Sequence, residues 1–239
     1  MTEQQYFTGD IEIDNELMIE HLNNSTLYTG TNRKMMLKNG RGKLPTKDQI
    51  SATWGLTRRG QLCPSNQFRI RSPYFGWYYT KTYSDNPQLK EIFEQYSDLH
   101  LPSNFFWTQC QINRNFHTPP HKDGENQNSS IIVGLGDYQG GKLAINKNGK
   151  VFFKGIKNIP TKFNGAKYTH WTTPFSGERW SLVFFTHHKK SELKKLEKKE
   201  TERLKEEEVE KNYKDKSKKV LEIINKQIEE FTQEDLQNT

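Results

Sequence analysis

Cysteine is almost missing from this sequence: Cys63 and Cys110 are the only two in 239 residues. Two thiols without CxxC spacing give at most one bridge, which excludes a disulfide scaffold and a cysteine zinc site. A reducing, intracellular compartment is the expectation, and a nuclear one if the source is eukaryotic. No basic cluster marks that address, because Lys189-Lys190 and Lys198-Lys199 are interspersed with glutamate. Long apolar runs are missing as well. The longest, Ile131 to Leu135 and Ser181 to Phe185, fall far short of the roughly 20 residues that cross a bilayer. The opening MTEQQYFTGD is polar and acidic, unlike a secretion signal. No membrane partner is expected, and nothing in the pattern fixes an oligomeric state.

Apolar residues make up only 32% of the chain, which is low for a wholly globular protein. The dilution lies at the end. From Lys189 to Thr239 there are 14 Lys+Arg and 14 Asp+Glu, so the net charge of +7 belongs entirely to residues 1–188. That tail reads as a solvated helix, with Val220, Ile224, Ile228 and Phe231 on one face that can dock on a surface. Residues 1–104 read as a helical and basic portion. A helix is expected from Asn15 to Leu22 with Asp14 as its cap, and another from Pro87 to Tyr96. Between them, a long basic stretch carries Trp54, Tyr74, Phe75, Trp77, Tyr78 and Tyr79, a mixture suited to phosphates and bases. A twisted strand with solvated loops is the plainer reading of the same stretch.

From Phe105 the pattern changes to short strands: Phe105–Asn113, Ser129–Leu135, Lys142–Ile145, Val151–Lys154, Thr161–Phe163 and Arg179–Thr186. Gly and Asn turns join them, and no internal repeat is visible. The fold class expected is mainly β with flanking helices, a jelly-roll core over 105–188 followed by the charged helical tail of 189–239.

The residues that carry chemistry are His121, Asp123, His170, Arg179 and Ser181. In extended chain, residues i and i+2 point the same way, so His121 and Asp123 share a side. With His170 from a later strand they compose two imidazoles and a carboxylate, the set that holds one face of Fe(II) and leaves the others open. Arg179 and Ser181 share a face of the last strand, where a guanidinium and a hydroxyl can clamp the far carboxylate of 2-oxoglutarate. His117 is a weak alternative ligand. Its spacing of four from His121 suits a helix, which Pro119-Pro120 forbids.

The pattern HxD…H…RxS resembles the Fe(II)/2-oxoglutarate dioxygenases. Three details are similar to their TET/JBP nucleic-acid-modifying branch: the run His121 to Asn126 (HxDxxN), the strand and Gly-Gly hairpin from Gly134 to Leu143, and Arg179 to His187 (RxSLVFxxH). The likeness spans about Phe105 to Lys189. It implies that His121, Asp123 and His170 bind iron, that Arg179 and Ser181 bind 2-oxoglutarate, and that Asn126, Phe185 and His187 line a pocket for a flipped base. The implied activity is oxidation of a methyl group on 5-methylcytosine or thymine, in DNA rather than RNA. The residues that would hold the near end of 2-oxoglutarate are not placed, and Arg114 is a candidate by proximity alone. Two other readings stand beside it: a protein or small-molecule hydroxylase, and a non-catalytic nucleic-acid-binding module.

Overall fold

Asp10, not Asp14, caps the first helix, α1 (Ile11–Asn23): its side chain accepts hydrogen bonds from the backbone N–H groups of Glu12 and Ile13. The helix therefore begins earlier than its apolar residues suggest, and Asp14 becomes a buried helical residue. It accepts from Thr8 N (2.6 Å), Thr8 Oγ1 (2.8 Å) and Gly9 N (2.9 Å), and pairs with His100 Nε2 at 2.8 Å. Burial works to raise this carboxyl, but those hydrogen bonds, from Thr8 first, outweigh it and hold it below the usual range. Because the folded-state value is the lower one, this stabilisation is present above about pH 4 and is lost as pH falls through the folded value. Asp14→Asn is expected to cost about 3 kcal/mol or more, since it leaves buried donors facing an amide. Urea denaturation at pH 7 checks it, and the loss should shrink in acid.

The protein is described here from a computed structural model, in which residues 4–29, 48–58 and 77–189 are defined, with positions 198, 202, 205, 208, 209 and 218 beyond them. The chain divides into two units, Met1–Lys189 and Lys190–Thr239. In the second, the described positions are helical, and Lys198 and Glu202 form an i,i+4 pair at 4.0 Å. The expected docking face from Val220 to Phe231 lies outside the described residues, as do Cys63 and most of the basic aromatic stretch. No helix among the described residues is long and apolar enough to cross a membrane.

In the first unit, α1 is followed by β1 (Ile50–Arg58), β2 (Trp77–Tyr79), the single turn α2 (Lys81–Ser84) and α3 (Leu89–His100). Then come β3 (Gln109–Arg114), β4 (Ser130–Leu135), β5 (Tyr138–Gly140), β6 (Leu143–Lys147) and β7 (Lys150–Lys154). The set ends with β8 (Thr161–Phe163), β9 (Thr169–Thr172), β10 (Phe175–Gly177) and β11 (Trp180–Phe185). A six-stranded sheet has the order β2-β1-β3-β11-β4-β8, a three-stranded sheet β7-β6-β9, and β10 pairs with β5. Every ladder is antiparallel. From β4 onward the chain passes repeatedly between the two larger sheets, which makes the core a jelly roll of mainly β class, as the strand pattern predicts. β1 comes from the N-terminal portion yet pairs along β3, so the large sheet spans both portions.

Alternation along the large sheet separates two environments. On one face Cys110, Ile112, Ile131, Val133, Leu135, Trp180, Leu182 and Phe184 pack with Met18 and Leu22 of α1 and with Leu89, Ile92, Phe93 and Tyr96 of α3. Fully burying each such aliphatic or Phe side chain stabilises by about 1.5–3 kcal/mol. The other face meets the small sheet through a modest cluster of Ile132, Leu143, Ile145, Ile156 and Phe163, with Tyr168 and Val183 against it. Much of the rest of that inner face is polar, and the candidate site lies there.

Candidate metal centre and carboxylate pocket

His121 and His170 are joined by a β-bridge, with His121 N to His170 O at 3.0 Å and His170 N to His121 O at 2.9 Å. The bridge adds the HxD segment to the edge of β9 and fixes both imidazoles side by side, ring centroids 4.2 Å apart. Asp123 N donates to Gly165 O at 3.0 Å, which turns its carboxylate toward the same point. The ligand atoms of His121, Asp123 and His170 all lie within 4.8 Å of one another. His117 is not among them.

The tautomers suit a cation. His121 Nδ1 lies 2.9 Å from Pro119 O and His170 Nδ1 lies 3.1 Å from Tyr168 O. Each Nδ1–H therefore donates to a carbonyl, and each Nε2 is turned to Asp123, at 3.3 Å from Oδ1 and Oδ2 respectively. A neutral imidazole would present a lone pair to a carboxylate oxygen there, and two acceptors repel. The arrangement needs either a second proton on each ring or a metal ion between the groups. Burial works to raise the Asp123 carboxyl, but hydrogen bonds from His121 and then His170, with their charges, hold it well below the usual carboxylate range. Two nitrogen donors and one carboxylate, with no fourth protein ligand in the group among the described residues, fit Fe(II) with open positions.

Gly165 completes this centre, and the sequence gives no sign of it. A Cβ built there would lie 2.7 Å from Asp123 Oδ2 and 3.0 Å from His170 Cε1. Gly165→Ala is thus expected to displace two ligands and weaken metal binding about tenfold or more, the scale on which losses of ligand-orienting contacts fall. Anaerobic Fe(II) titration, with circular dichroism to confirm folding, checks it; parental affinity would show that the ligands tolerate the shift.

Arg179 and Ser181 are 1% and 2% exposed, and Arg179 Nη1 lies 3.4 Å from Ser181 Oγ. The guanidinium sits 5.5 Å from the Tyr138 ring centroid and 5.3 Å from that of Phe175. Among the described residues it has no carboxylate partner, and neither Arg179 Nε nor Tyr138 Oη makes a hydrogen bond there. Burial also lowers the guanidinium's pKa, against the pull of Tyr138. A buried cation without an anion is costly. Such a lining would suit a carboxylate: a fork of N–H donors, a hydroxyl beside it and a phenol near by. Gly141 makes room for the arginine, since a Cβ there would stand 2.7 Å from Arg179 Nε. Asn115, in the left-handed region at φ 47°, holds the arginine's backbone: its Oδ1 accepts from Arg179 N at 2.9 Å.

Arg114 does not join this pocket. It makes hydrogen bonds of 3.1 and 2.8 Å to Glu178 and lies over the Trp180 ring, because it falls on the opposite face of the sheet from Asn113 and Ser181.

The loop that carries Asn126 is joined to the end of β11, beside Phe185 and His187. Gln127 N donates to Thr186 O at 2.7 Å, tying the loop after Asp123 to the end of β11. Phe185 and His187 rings are 5.2 Å apart, edge to face. Asn126 is buried, with its backbone N–H on Asp123 O and its Nδ2 3.2 Å from Ser130 Oγ. Opposite Phe185 in the ladder stands Gln109, fully buried, with neither amide atom hydrogen-bonded among the described residues. A polar relay continues along the same face through Gln111, Ser51 and Asn113 to Ser181. Sequence reasoning missed Gln109, Tyr138 and Gly165, whose importance rests on neighbours far away in the chain.

No protein-family model matches this sequence, and no curated protein matches it. Solved structures similar to it include an oxidoreductase of the 2OG-Fe(II) oxygenase family from Burkholderia pseudomallei, with 16% identity over 72% of this chain and 77% of that one, at a TM-score of 0.43. A Pseudomonas putida prolyl-4-hydroxylase matches with 12% identity over 78% and 91%, at 0.37. NgTET1 in complex with 5mC DNA matches with 19% identity over 70% and 74%, at 0.33.

Proposed function

We propose that this protein is an Fe(II)- and 2-oxoglutarate-dependent dioxygenase that oxidises the methyl group of a flipped nucleobase, 5-methylcytosine or thymine in DNA. The observation that carries the reading is a three-ligand cation site together with a guanidinium that is buried and has no carboxylate partner among the described residues. His121, Asp123 and His170 would hold the iron through two Nε2 atoms and a carboxylate oxygen. Arg179 would take the far carboxylate of 2-oxoglutarate, with Ser181 Oγ and Tyr138 Oη as further partners. Bound together, Fe(II) and 2-oxoglutarate supply the oxidising chemistry, in which dioxygen is consumed and 2-oxoglutarate is decarboxylated to succinate.

The rest is the chain's own work. The Tyr138 and Phe175 rings exclude water from the guanidinium, which strengthens its hold on a carboxylate. The carbonyls of Pro119 and Tyr168 keep both imidazoles in the metal-binding tautomer. Phe185 offers a stacking face, and Asn126, His187 and Gln109 offer donors and acceptors for a base edge. A flipped base needs both.

Incubating the protein with Fe(II), 2-oxoglutarate and methylated DNA or RNA, followed by mass spectrometry of nucleosides, tests the reading. Hydroxymethylated product is expected from DNA. Succinate formation with peptides or small molecules, and none with nucleic acid, would assign a different substrate to the same centre. Phe185→Ala is expected to lower base oxidation at least about fivefold, read as oxidised nucleoside per turnover of 2-oxoglutarate.

A further inference from the structure

From Lys142 to His170 the chain holds seven lysines and no aspartate or glutamate. Three of these lysines converge. Lys147 and Lys150 are ladder partners across the Asn148-Gly149 turn, whose φ angles of 52° and 86° are those of a tight two-residue hairpin. Like charges directly opposite one another destabilise a hairpin. Lys147 Nζ lies 5.6 Å from the Phe152 ring centroid and 5.4 Å from that of Tyr168; Lys150 Nζ is 5.5 Å from Phe152, and Lys167 Nζ 5.3 Å from Tyr168. Among the described residues none of the three has an acidic partner, whereas Lys157 pairs with Asp137. The three ammonium groups thus surround two aromatic rings, and Phe152 is 40% exposed.

Register places this patch beside the metal centre. Phe152 is opposite Ile145, and Ile145 is opposite His170, so the three side chains stand in one row on the inner face of the small sheet. With strands about 4.8 Å apart, Phe152 is two strands, roughly 10 Å, from a metal ligand. Tyr168 also accepts the hydrogen bond that orients His170.

We propose that the β6–β7 hairpin with Lys167 and Tyr168 is the docking surface for one strand of nucleic acid, next to the base that enters the site. Lys147, Lys150 and Lys167 contact successive phosphates, and Phe152 stacks on a neighbouring unpaired base. The proposal rests on the nucleobase reading above. Charge complementarity selects a polyanion, and an exposed ring among the cations selects one whose units carry flat faces. A surface that reads only charge would have no use for Phe152.

The test is fluorescence anisotropy of the full chain with a labelled single-stranded oligonucleotide across a salt series, with polyglutamate as competitor. The triple variant Lys147→Gln, Lys150→Gln, Lys167→Gln is expected to reduce the salt slope by about two, at about 0.7 per phosphate contact on a single strand. Phe152→Ala is expected to weaken binding at least about fivefold while keeping the parental slope. All four positions are exposed or half-buried, and thermal melting confirms folding; Lys150→Gln alone should lower the slope by about 0.7 if the triple variant melts early. A parent protein that binds with salt dependence while these variants match it in affinity and slope overturns the surface alone. A parent that binds no nucleic acid, or that polyglutamate displaces as readily as unlabelled oligonucleotide, overturns the nucleobase reading with it.

Discussion

Asp123→Ala is expected to remove productive Fe(II) binding, with affinity falling by two orders of magnitude or more and turnover of 2-oxoglutarate with it. The carboxylate is the only anionic member of the group and is shared by both imidazoles, each 3.3 Å away. Without it, two neutral nitrogens must hold a divalent cation. His121→Ala and His170→Ala should lose binding for the complementary reason, since each removes one of the two Nε2 donors. The fold should survive in all three, because Asp123 is partly exposed and the His121–His170 link is made by backbone. Anaerobic titration followed by the visible absorption of the iron and 2-oxoglutarate complex measures the effect. Full occupancy in any one variant would overturn that ligand's assignment. In the parent, affinity should fall as pH is lowered, since protons and metal compete for the same Nε2 and carboxylate atoms.

Arg179→Met is expected to separate stability from function. The guanidinium is buried, lies 5.5 and 5.3 Å from the Tyr138 and Phe175 ring centroids, and has no carboxylate partner among the described residues. Replacing such a charge by an apolar side chain of similar length should leave the thermal midpoint unchanged or raise it. The same substitution removes charge-assisted hydrogen bonds worth about 1.5–3 kcal/mol, so affinity for 2-oxoglutarate should drop by at least tenfold. Fe(II) binding should persist, since no ligand is touched. Thermal shift with and without 2-oxoglutarate reads both effects. A variant that melts early and still binds the cosubstrate would make Arg179 a structural residue.

Local pattern was a good guide wherever it reports on nearest neighbours. Alternation in Arg179 to Phe185 splits Trp180, Leu182 and Phe184 from Ser181 and Val183, and the two sets do pack on opposite sides of the sheet. The spacing of His121 and Asp123 likewise puts both on one side. It failed at α1, where Asp14 resembles a cap by composition while Asp10 makes the bonds, and at β5, β9 and β10, which are too short for periodicity to register. Arg114 shows the limit of proximity along the chain: near His121 in sequence, it belongs by strand parity to the other face.

The sequence by itself determined the class of fold, the side shared by the candidate ligands His121 and Asp123, and the face shared by Arg179 and Ser181, because each depends on periods of two along extended chain. Tertiary structure alone decided the rest. The β-bridge sets His170, already a candidate from the sequence, beside His121, β5 and β10 supply Tyr138 and Phe175 to the guanidinium, and close approach bars a side chain at Gly165. Strand register gathers Lys147, Lys150, Lys167 and Phe152 beside the metal centre. These are relations between segments tens of residues apart, set by which strands pair and in what register, and spacing along a single chain carries no record of them.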